Sequence, residues 1–441
     1  MTDNVKSITI IGGGLVGSLC ACFLAKRGYR IKLYESREDL RKAKHQRGRS
    51  INLALSHRGR RALRSVGLED EVLQNAIPMK GRLLHDISGA TKSVIYDEHT
   101  NQCIYSVSRN LLNGILLTAA EKFPNVEVFF QSKLINISVR EGTCIISNMA
   151  TNETFEVQSD LIIGADGAFS KVRRFLQQIP LFQFSQTYID HGYLELSIPP
   201  CRGYLMTSNH LHIWPRGEFM MIALPNKDDS WTVTLFMSFR RFEELDDKEK
   251  MRKFFESTFP DAIELIGEEE LEKQFFAAKP SHLVSIKCSP YHFQDRALVI
   301  GDAAHAMVPF YGQGMNCGFE DCTLLDELFE THADNFKVIL EKFSSLRKDD
   351  AHAICDLAMY NFIEMRDLVT KPSFYVRKVL DNILFKMFPS TWIPLYNSVS
   401  FSSIRYTVCM NNRKWQNKII ITGLLIFFLV LSILFFLWRK F

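Results

Sequence analysis

The chain has 441 residues, 46% hydrophobic and 23% charged, enough apolar material for a large core shared between two lobes. A formal charge of +4 is too small to argue for a nucleic-acid partner, and no basic helix interleaved with stacking aromatics occurs. Ten cysteines fall without a C-x-x-C pair or a metal-ligand spacing with histidine, so reduced thiols are expected and a metal site is not.

From the N-terminus, Asp3 and Lys6 lead directly into an apolar stretch, so no signal peptide is expected. Ile8 to Ile11 is predicted as a strand, Leu15 to Lys26 as a helix and Tyr29 to Tyr34 as a second strand. Between the first two lies Gly12-Gly13-Gly14-Leu15-Val16-Gly17. Gly12, Gly14 and Gly17 fit G-x-G-x-x-G, whose glycines give a tight turn, backbone approach to a pyrophosphate and close helix–strand packing. The helix start offers free N–H groups to phosphate. Glu35, 18 residues after Gly17, stands where an acid hydrogen-bonds a ribose hydroxyl. Motif and context together predict a dinucleotide site.

Arg37 to Arg49 is a basic connection, either a guide for a phosphorylated reductant or a solvated loop. Ser56 to Leu73 and Asn110 to Lys122 have helical patterns. Strands are predicted at Val126 to Phe130, Leu134 to Val139 and Thr143 to Ile146, with a turn at Glu141-Gly142. A buried strand, Leu161 to Ile163, ends at Gly164-Ala165-Asp166-Gly167, with Arg173 behind it. From Gly192 to Ser238 the pattern alternates and is rich in aromatics, broken at Pro199-Pro200, Pro215 and Pro225, which predicts an antiparallel sheet. Glu243 to Phe276 is helical and acidic.

Ala297 to Ile300 is a strand leading into Gly301-Asp302-Ala303-Ala304-His305 and on to Gly312-Gln313-Gly314-Met315-Asn316. Asp302 suits the hydroxyls of a ribityl chain beside the pyrophosphate. Gly312 and Gly314 let the backbone approach a flat ring, and the helix opening at Met315-Asn316 aims its positive end there. Two glycine motifs nearly three hundred residues apart indicate a long cofactor held at both ends, namely FAD. From Asn316 the chain is mostly helical.

Ile419 to Trp438 is twenty residues without charge, the length of a bilayer-crossing helix. Arg413, Lys414 and Lys418 precede it, Arg439 and Lys440 follow, and Trp415 and Trp438 sit where an aromatic belt lies. With so little chain beyond the span, post-translational insertion is expected, which makes a tail anchor with the body in the cytosol. The expected fold is α/β: a Rossmann-like FAD-binding domain over residues 1–190 and 281–325, and an inserted antiparallel substrate lobe over 191–280. A helical region over 326–412 and a single transmembrane helix over 419–438 complete it.

The order of the three glycine turns resembles the single-component flavin aromatic hydroxylases, the p-hydroxybenzoate hydroxylase-like group. In that group the first turn binds the ADP part, the Asp166-Gly167 turn touches FAD and reductant, and the Gly301-Asp302 stretch binds the flavin end. A narrower resemblance, to the kynurenine 3-monooxygenase family, covers almost the whole chain. It is carried by Arg47-Gly48-Arg49-Ser50-Ile51-Asn52 running to Gly59, by Gly192-Tyr193-Leu194-Glu195-Leu196, and by His212-Ile213-Trp214-Pro215-Arg216 with Met220 to Asn226. Gly312 to Cys322, Met359-Tyr360-Asn361 and Glu364-Met365-Arg366 carry it further. Cys317 stands where alanine is expected, and the tail beyond the span is shorter than in animal members.

The resemblance implies that Arg82 binds the substrate carboxylate, aided by Tyr96, Asn361 and Tyr396, with Phe310 and Tyr311 lining the ring pocket. On the cofactor side it implies Val16, Arg37, Ala54, Arg109, Leu134, Asp302, Met315 and Asn316, beside Gly12, Gly14, Gly17, Glu35, Asp166 and Gly314. It implies tightly bound FAD, NADPH as a transient co-substrate, O2, and hydroxylation of L-kynurenine to 3-hydroxykynurenine through a flavin C4a-hydroperoxide. The flavin does the chemistry, so no catalytic side chain is expected. It also implies a mitochondrial outer membrane location, with the endoplasmic reticulum as the alternative. Two other readings stay open: an anchored flavin monooxygenase acting on an apolar substrate, and a membrane-tethered flavoprotein scaffold. A flavin halogenase is disfavoured, since no W-x-W-x-I-P stretch occurs.

Overall fold

The computed structural model describes residues 5–42 and 52–439; Asp3, the motif residues Arg47 to Ile51, the basic stretch beyond Lys42, Lys440 and Phe441 lie outside them. The strand Ser7–Ile11 sits inside a six-stranded sheet, paired in parallel with Arg30–Tyr34 on one side and Leu161–Gly164 on the other. Val126–Phe129 extends one flank and Ala297–Val299 the other, both parallel, with His292–Phe293 as an antiparallel edge. The chain builds first to one side of Ser7–Ile11 and then to the other, so the strand order reverses beside it. In open α/β sheets ligands bind at the carboxyl ends of strands at such a switch point. The three glycine turns leave the sheet there: Gly12 after Ser7–Ile11, Asp166 after Leu161–Gly164 and Gly301 after Ala297–Val299.

The helix Leu15–Lys26 runs as predicted and is buried over nearly its whole length, packing between the sheet and the helices Arg109–Glu121 and Gly314–His332. Ser108 caps Arg109–Glu121 by accepting from the Leu111 N–H. The pattern over Ser56 to Leu73 divides into His57–Ser65 and Glu69–Gln74, because Gly67 turns the chain at φ +74°. The acidic stretch divides into Phe239–Glu244, Lys248–Thr258, Pro260–Ile266 and Glu268–Ala277, with Pro260 opening one helix and Gly267 at φ +93° closing it.

A seven-stranded sheet forms the second layer, in the order Ser281–Ser289, Gln183–Ile198, Trp231–Ser238, Met220–Pro225, His210–Pro215, Gly81–His85, Thr91–Ile95. It is antiparallel except where His210–Pro215 pairs in parallel with Gly81–His85. The sheet thus extends beyond 191–280, drawing in a hairpin from residues 81–95. Side-chain alternation splits its faces. Leu194, Leu196, Val233 and Leu235 join Trp214, Trp231 and Phe255 in a core under the acidic helices. Tyr193, Thr234 and Phe236 point to the opposite side, into a cavity.

Three long helices follow: Phe336–Arg366, Pro372–Met387 and Tyr406–Trp438. The last, of 33 residues, starts inside the body, with Tyr406 and Cys409 buried; from Ile421 to Arg439 every residue is exposed. The predicted span is therefore the outer part of a longer helix that is long and apolar enough to cross a membrane.

Candidate functional site

Where the three turns meet, a cavity of about 730 Å³ opens between the two sheets, within the roughly 300–1,000 Å³ of small-molecule sites. It runs from Glu35 and Arg37, past Gly12, Gly14, Asp166 and Asp302, to Arg82, Asn361 and Tyr396. Val16, Ala54, Arg109, Leu134, Gly314 and Met315 also line it, as do Phe310 and Tyr311. Gly17, Tyr96 and Asn316 do not.

The glycines divide by task. A Cβ on Gly17 would stand 1.9 Å from the Gly12 carbonyl oxygen, so Gly17 serves helix–turn packing. Gly12 turns at φ +104°, and its Cβ would meet the Ala165 oxygen at 2.5 Å, so it lets two turns abut. Gly14 has ordinary backbone, φ −72°, and its Cβ would meet no protein atom within 4 Å. A side chain there would project into the cavity, in front of the N–H groups that open a 12-residue helix. That is a cradle for an anion.

Glu35 holds this cradle in shape. One carboxylate oxygen accepts the Gly13 N–H at 2.9 Å, and the other accepts the Arg37 N–H at 2.9 Å and Nε at 2.8 Å. Burial alone would raise this carboxyl, but the Arg37 guanidinium and the N–H donors hold it below the usual range. Asp166 accepts from the Lys171 and Val172 N–H groups through one oxygen, while the other is buried with no partner among the described residues. Burial pushes the Asp166 carboxyl up. A buried acceptor of this kind on a cavity wall requires a donor from whatever fills it. The anion cradle, the ribose-side acid and this unfilled acceptor fit FAD lying along the cavity.

Asn316 is a brace. Its Oδ1 accepts the Ser56 N–H at 2.9 Å, and its Nδ2 donates to the Ala54 and Gly312 carbonyls at 2.8 and 2.7 Å. With its amide satisfied inward, its side chain ties the strand Asn52–Leu55 to the Gly312 loop. Below that loop lies a buried ionic network that the sequence reading missed. Asp321 accepts the Gly301 N–H at 2.8 Å, His305 Nε2 at 2.7 Å and Arg347 Nε at 2.6 Å. Burial would lower His305, but the Asp321 carboxylate outweighs it and raises the imidazole well above its ordinary value. Arg347 also donates to Cys317 Sγ, so two members of this His–Cys–Asp group already bind a guanidinium. Arg173 donates to the Ala168 and Ala303 carbonyls and so bolts the Asp166 turn to the Gly301 turn.

At the far end Arg82 is 5% exposed. Its Nη1 donates to Glu364 at 2.9 Å and its Nη2 reaches Asn361 Oδ1 at 3.4 Å, while Nε has no partner among the described residues. The guanidinium lies 4.9 Å above the Tyr396 ring. Tyr96 stacks on Tyr396 at 4.7 Å, and Tyr311 stands 5.7 Å from Tyr396 in a near-parallel stack. Tyr96 therefore backs the wall without lining it. Glu364 was missed as a site residue, yet it stands one helical turn beyond Asn361, on the same face.

Comparison with known proteins completes the assignment. A family model described as an FAD-binding domain matches residues 5–357. The chain is 59% identical over 422 residues to kynurenine 3-monooxygenase of Anopheles gambiae, covering 95% of this chain and 87% of that protein. It is 49% identical to the Sus scrofa kynurenine 3-monooxygenase, covering 96% and 89%. The chain belongs to the kynurenine 3-monooxygenase family. Solved structures share its fold at lower identity. 2-Methyl-3-hydroxypyridine-5-carboxylic acid oxygenase superposes with a TM-score of 0.67 at 19% identity, over 84% of this chain and 95% of that one. p-Nitrophenol 4-monooxygenase of Pseudomonas putida gives 0.67 at 17%, over 93% and 98%.

Proposed function

We propose that this chain is an FAD- and NADPH-dependent monooxygenase that hydroxylates L-kynurenine to 3-hydroxykynurenine. Family membership supports the reading. The observation that carries it is a buried arginine set over a tyrosine stack in the same cavity as a dinucleotide cradle. With Glu364 on Nη1, the Nε–Nη2 edge of Arg82 remains for a carboxylate, the bidentate geometry that a guanidinium provides and an ammonium cannot. Asn361 braces that edge, its own Nδ2 held by the Phe310 carbonyl at 2.6 Å.

The residues that would hold FAD are Gly14 and Val16 at the pyrophosphate, Glu35 and Arg37 toward the ribose, and Asp302, Gly314 and Met315 at the flavin end. Arg109, Ala54, Leu134 and Asp166 would flank it. The chemistry FAD supplies when bound is transfer of two electrons from NADPH to O2, with one oxygen atom going to the aromatic ring and the other to water. The protein's part is to fix the ring and keep the site dry, since water diverts such chemistry to H2O2. Phe236, Phe310, Tyr193 and Met365 wall the ring end with apolar surface. The amino-acid end is pinned by Arg82, which sets which ring carbon faces the flavin.

The reading includes a membrane anchor at Ile419 to Trp438, in the mitochondrial outer membrane with the body facing the cytosol; subcellular fractionation distinguishes this from the endoplasmic reticulum. Incubating the FAD-loaded protein with NADPH and L-kynurenine should give a product heavier by one oxygen, formed in step with NADPH loss. NADPH loss yielding H2O2 alone would overturn the substrate while keeping the flavoenzyme.

A further inference from the structure

We propose that the outer face of the helix Pro372–Met387 lies in the membrane surface, so that the body touches lipid through this helix as well as through its anchor. The proposal rests on reading Ile419 to Trp438 as a span. Val376, Val379, Ile383 and Met387 are 69%, 58%, 51% and 62% exposed, and their three- and four-residue spacing places them on one face. Phe388, just past the helix end, is exposed as well, and Asp381 is the helix's one buried residue. Soluble surfaces scatter single apolar residues; a continuous stripe marks a contact.

The opposite face holds the body. Lys378 donates to the Ile95 carbonyl, Lys92 lies 3.3 Å above the Tyr375 ring, and Phe385 meets His99 edge-on at 5.3 Å. The helix is thus a roof over the strand that leads to Tyr96.

Its level relative to the anchor is fixed by hydrogen bonds. Asp381 accepts from Arg413 at 3.1 Å, and Arg377 donates to Asn417 at 2.7 Å. Gln416 donates to the Ile393 carbonyl at 2.9 Å, and Trp392 packs on Trp415. Asn417 stands two residues before Ile419, which is about 3 Å along a helix axis. Arg377 therefore stands at the height where the exposed apolar run of the anchor begins, which brings the Val376–Val379 end of the stripe to headgroup level. Exposed Lys414 and Lys418 lie just before that run and suit anionic headgroups.

The test uses the full, FAD-loaded chain in vesicles of phosphatidylcholine and phosphatidylserine. In a Cys103→Ser, Cys201→Ser background, Ile383→Cys carries an environment-sensitive fluorophore. Leu425→Cys reports the anchor, and Glu249→Cys reports the sheet face turned away from the cavity. A nitroxide on the lipid headgroup should quench the label at 383, one deep in the acyl chain should quench that at 425, and neither should quench that at 249. If 425 is quenched while 383 behaves like 249, the roof helix is in water and the proposal falls with the anchor intact. If 425 is not quenched, the anchor reading and the proposal fall together. Shielding at 383 that grows with protein density and ignores lipid nitroxides would assign the face to a second copy and overturn the proposal.

Discussion

At the scale of single residues, Arg82 has one fixed partner, Glu364, and under the proposed function a second, the substrate carboxylate. Arg82→Lys keeps a charge for Glu364 and removes the fork. Losing one charge-assisted pair costs about 2 kcal/mol, so KM for kynurenine should rise roughly 30-fold while bound FAD is retained. Steady-state kinetics with the flavin absorbance read in parallel decide this, and an unchanged KM would remove Arg82 from the substrate. Gly17→Ala should instead lose FAD, because its methyl cannot coexist with the Gly12 oxygen 1.9 Å away; a holoprotein with normal flavin content would refute that. Gly17 was legible as part of a motif, and its task of packing followed from the same motif. Arg82 was not legible from physics alone, since a lone arginine in an unassigned hairpin looks like any solvated cation. Asn316 was placed on the flavin by analogy, and its inward hydrogen bonds depend on segments 260 residues apart that no local pattern reports.

Elements carry the next set of consequences. The predicted strand, helix and strand between Ile8 and Tyr34 stand where apolar periodicity put them, whereas Gly81–His85 and Thr91–Ile95 escaped notice. Their pattern is short and interrupted by charge, and their strand character comes from pairing with His210–Pro215, more than a hundred residues away. The joint between these strands is a buried relay: Asp261 to His85, and His85 Nε2 to His212 Nδ1 at 2.8 Å. Burial pushes His212 down to about 3. Folding thus favours its neutral ring. The stability this gives is full above the ordinary value near 6.5 and falls as pH drops toward 3, by about 1.4 kcal/mol per unit. Thermal melts below about pH 6.5 should show this slope in the native chain and a shallower one, by one proton, in His212→Gln; parallel slopes would exonerate the relay.

Beneath the Gly301 turn, Asp321→Asn leaves buried His305 and Arg347 short of their counter-charge. Breaking such a network costs about 3–5 kcal/mol. The variant should melt earlier and release FAD more readily, and one that does neither would show that the Gly301 turn is held by other means.

For the whole molecule, the sheet order, the cavity and the C-terminal helix set how the parts work together. Ending the chain after Lys418 should move the protein from an alkali-resistant membrane pellet to the supernatant; a truncated chain that stays in the pellet would mean that other surfaces suffice. The cavity itself is lined from Ile11 to Tyr396, by both sheets, the glycine loops and the helix Phe336–Arg366. No shorter stretch can build the seat, so cofactor affinity and completion of the fold are one thermodynamic event. FAD acts as a keystone: at a thousandfold excess over its dissociation constant it adds about 4 kcal/mol to the stability of the entire body. A chain that starves for flavin would then be lost to proteolysis as a unit, and the cellular level of this enzyme would follow the supply of its cofactor.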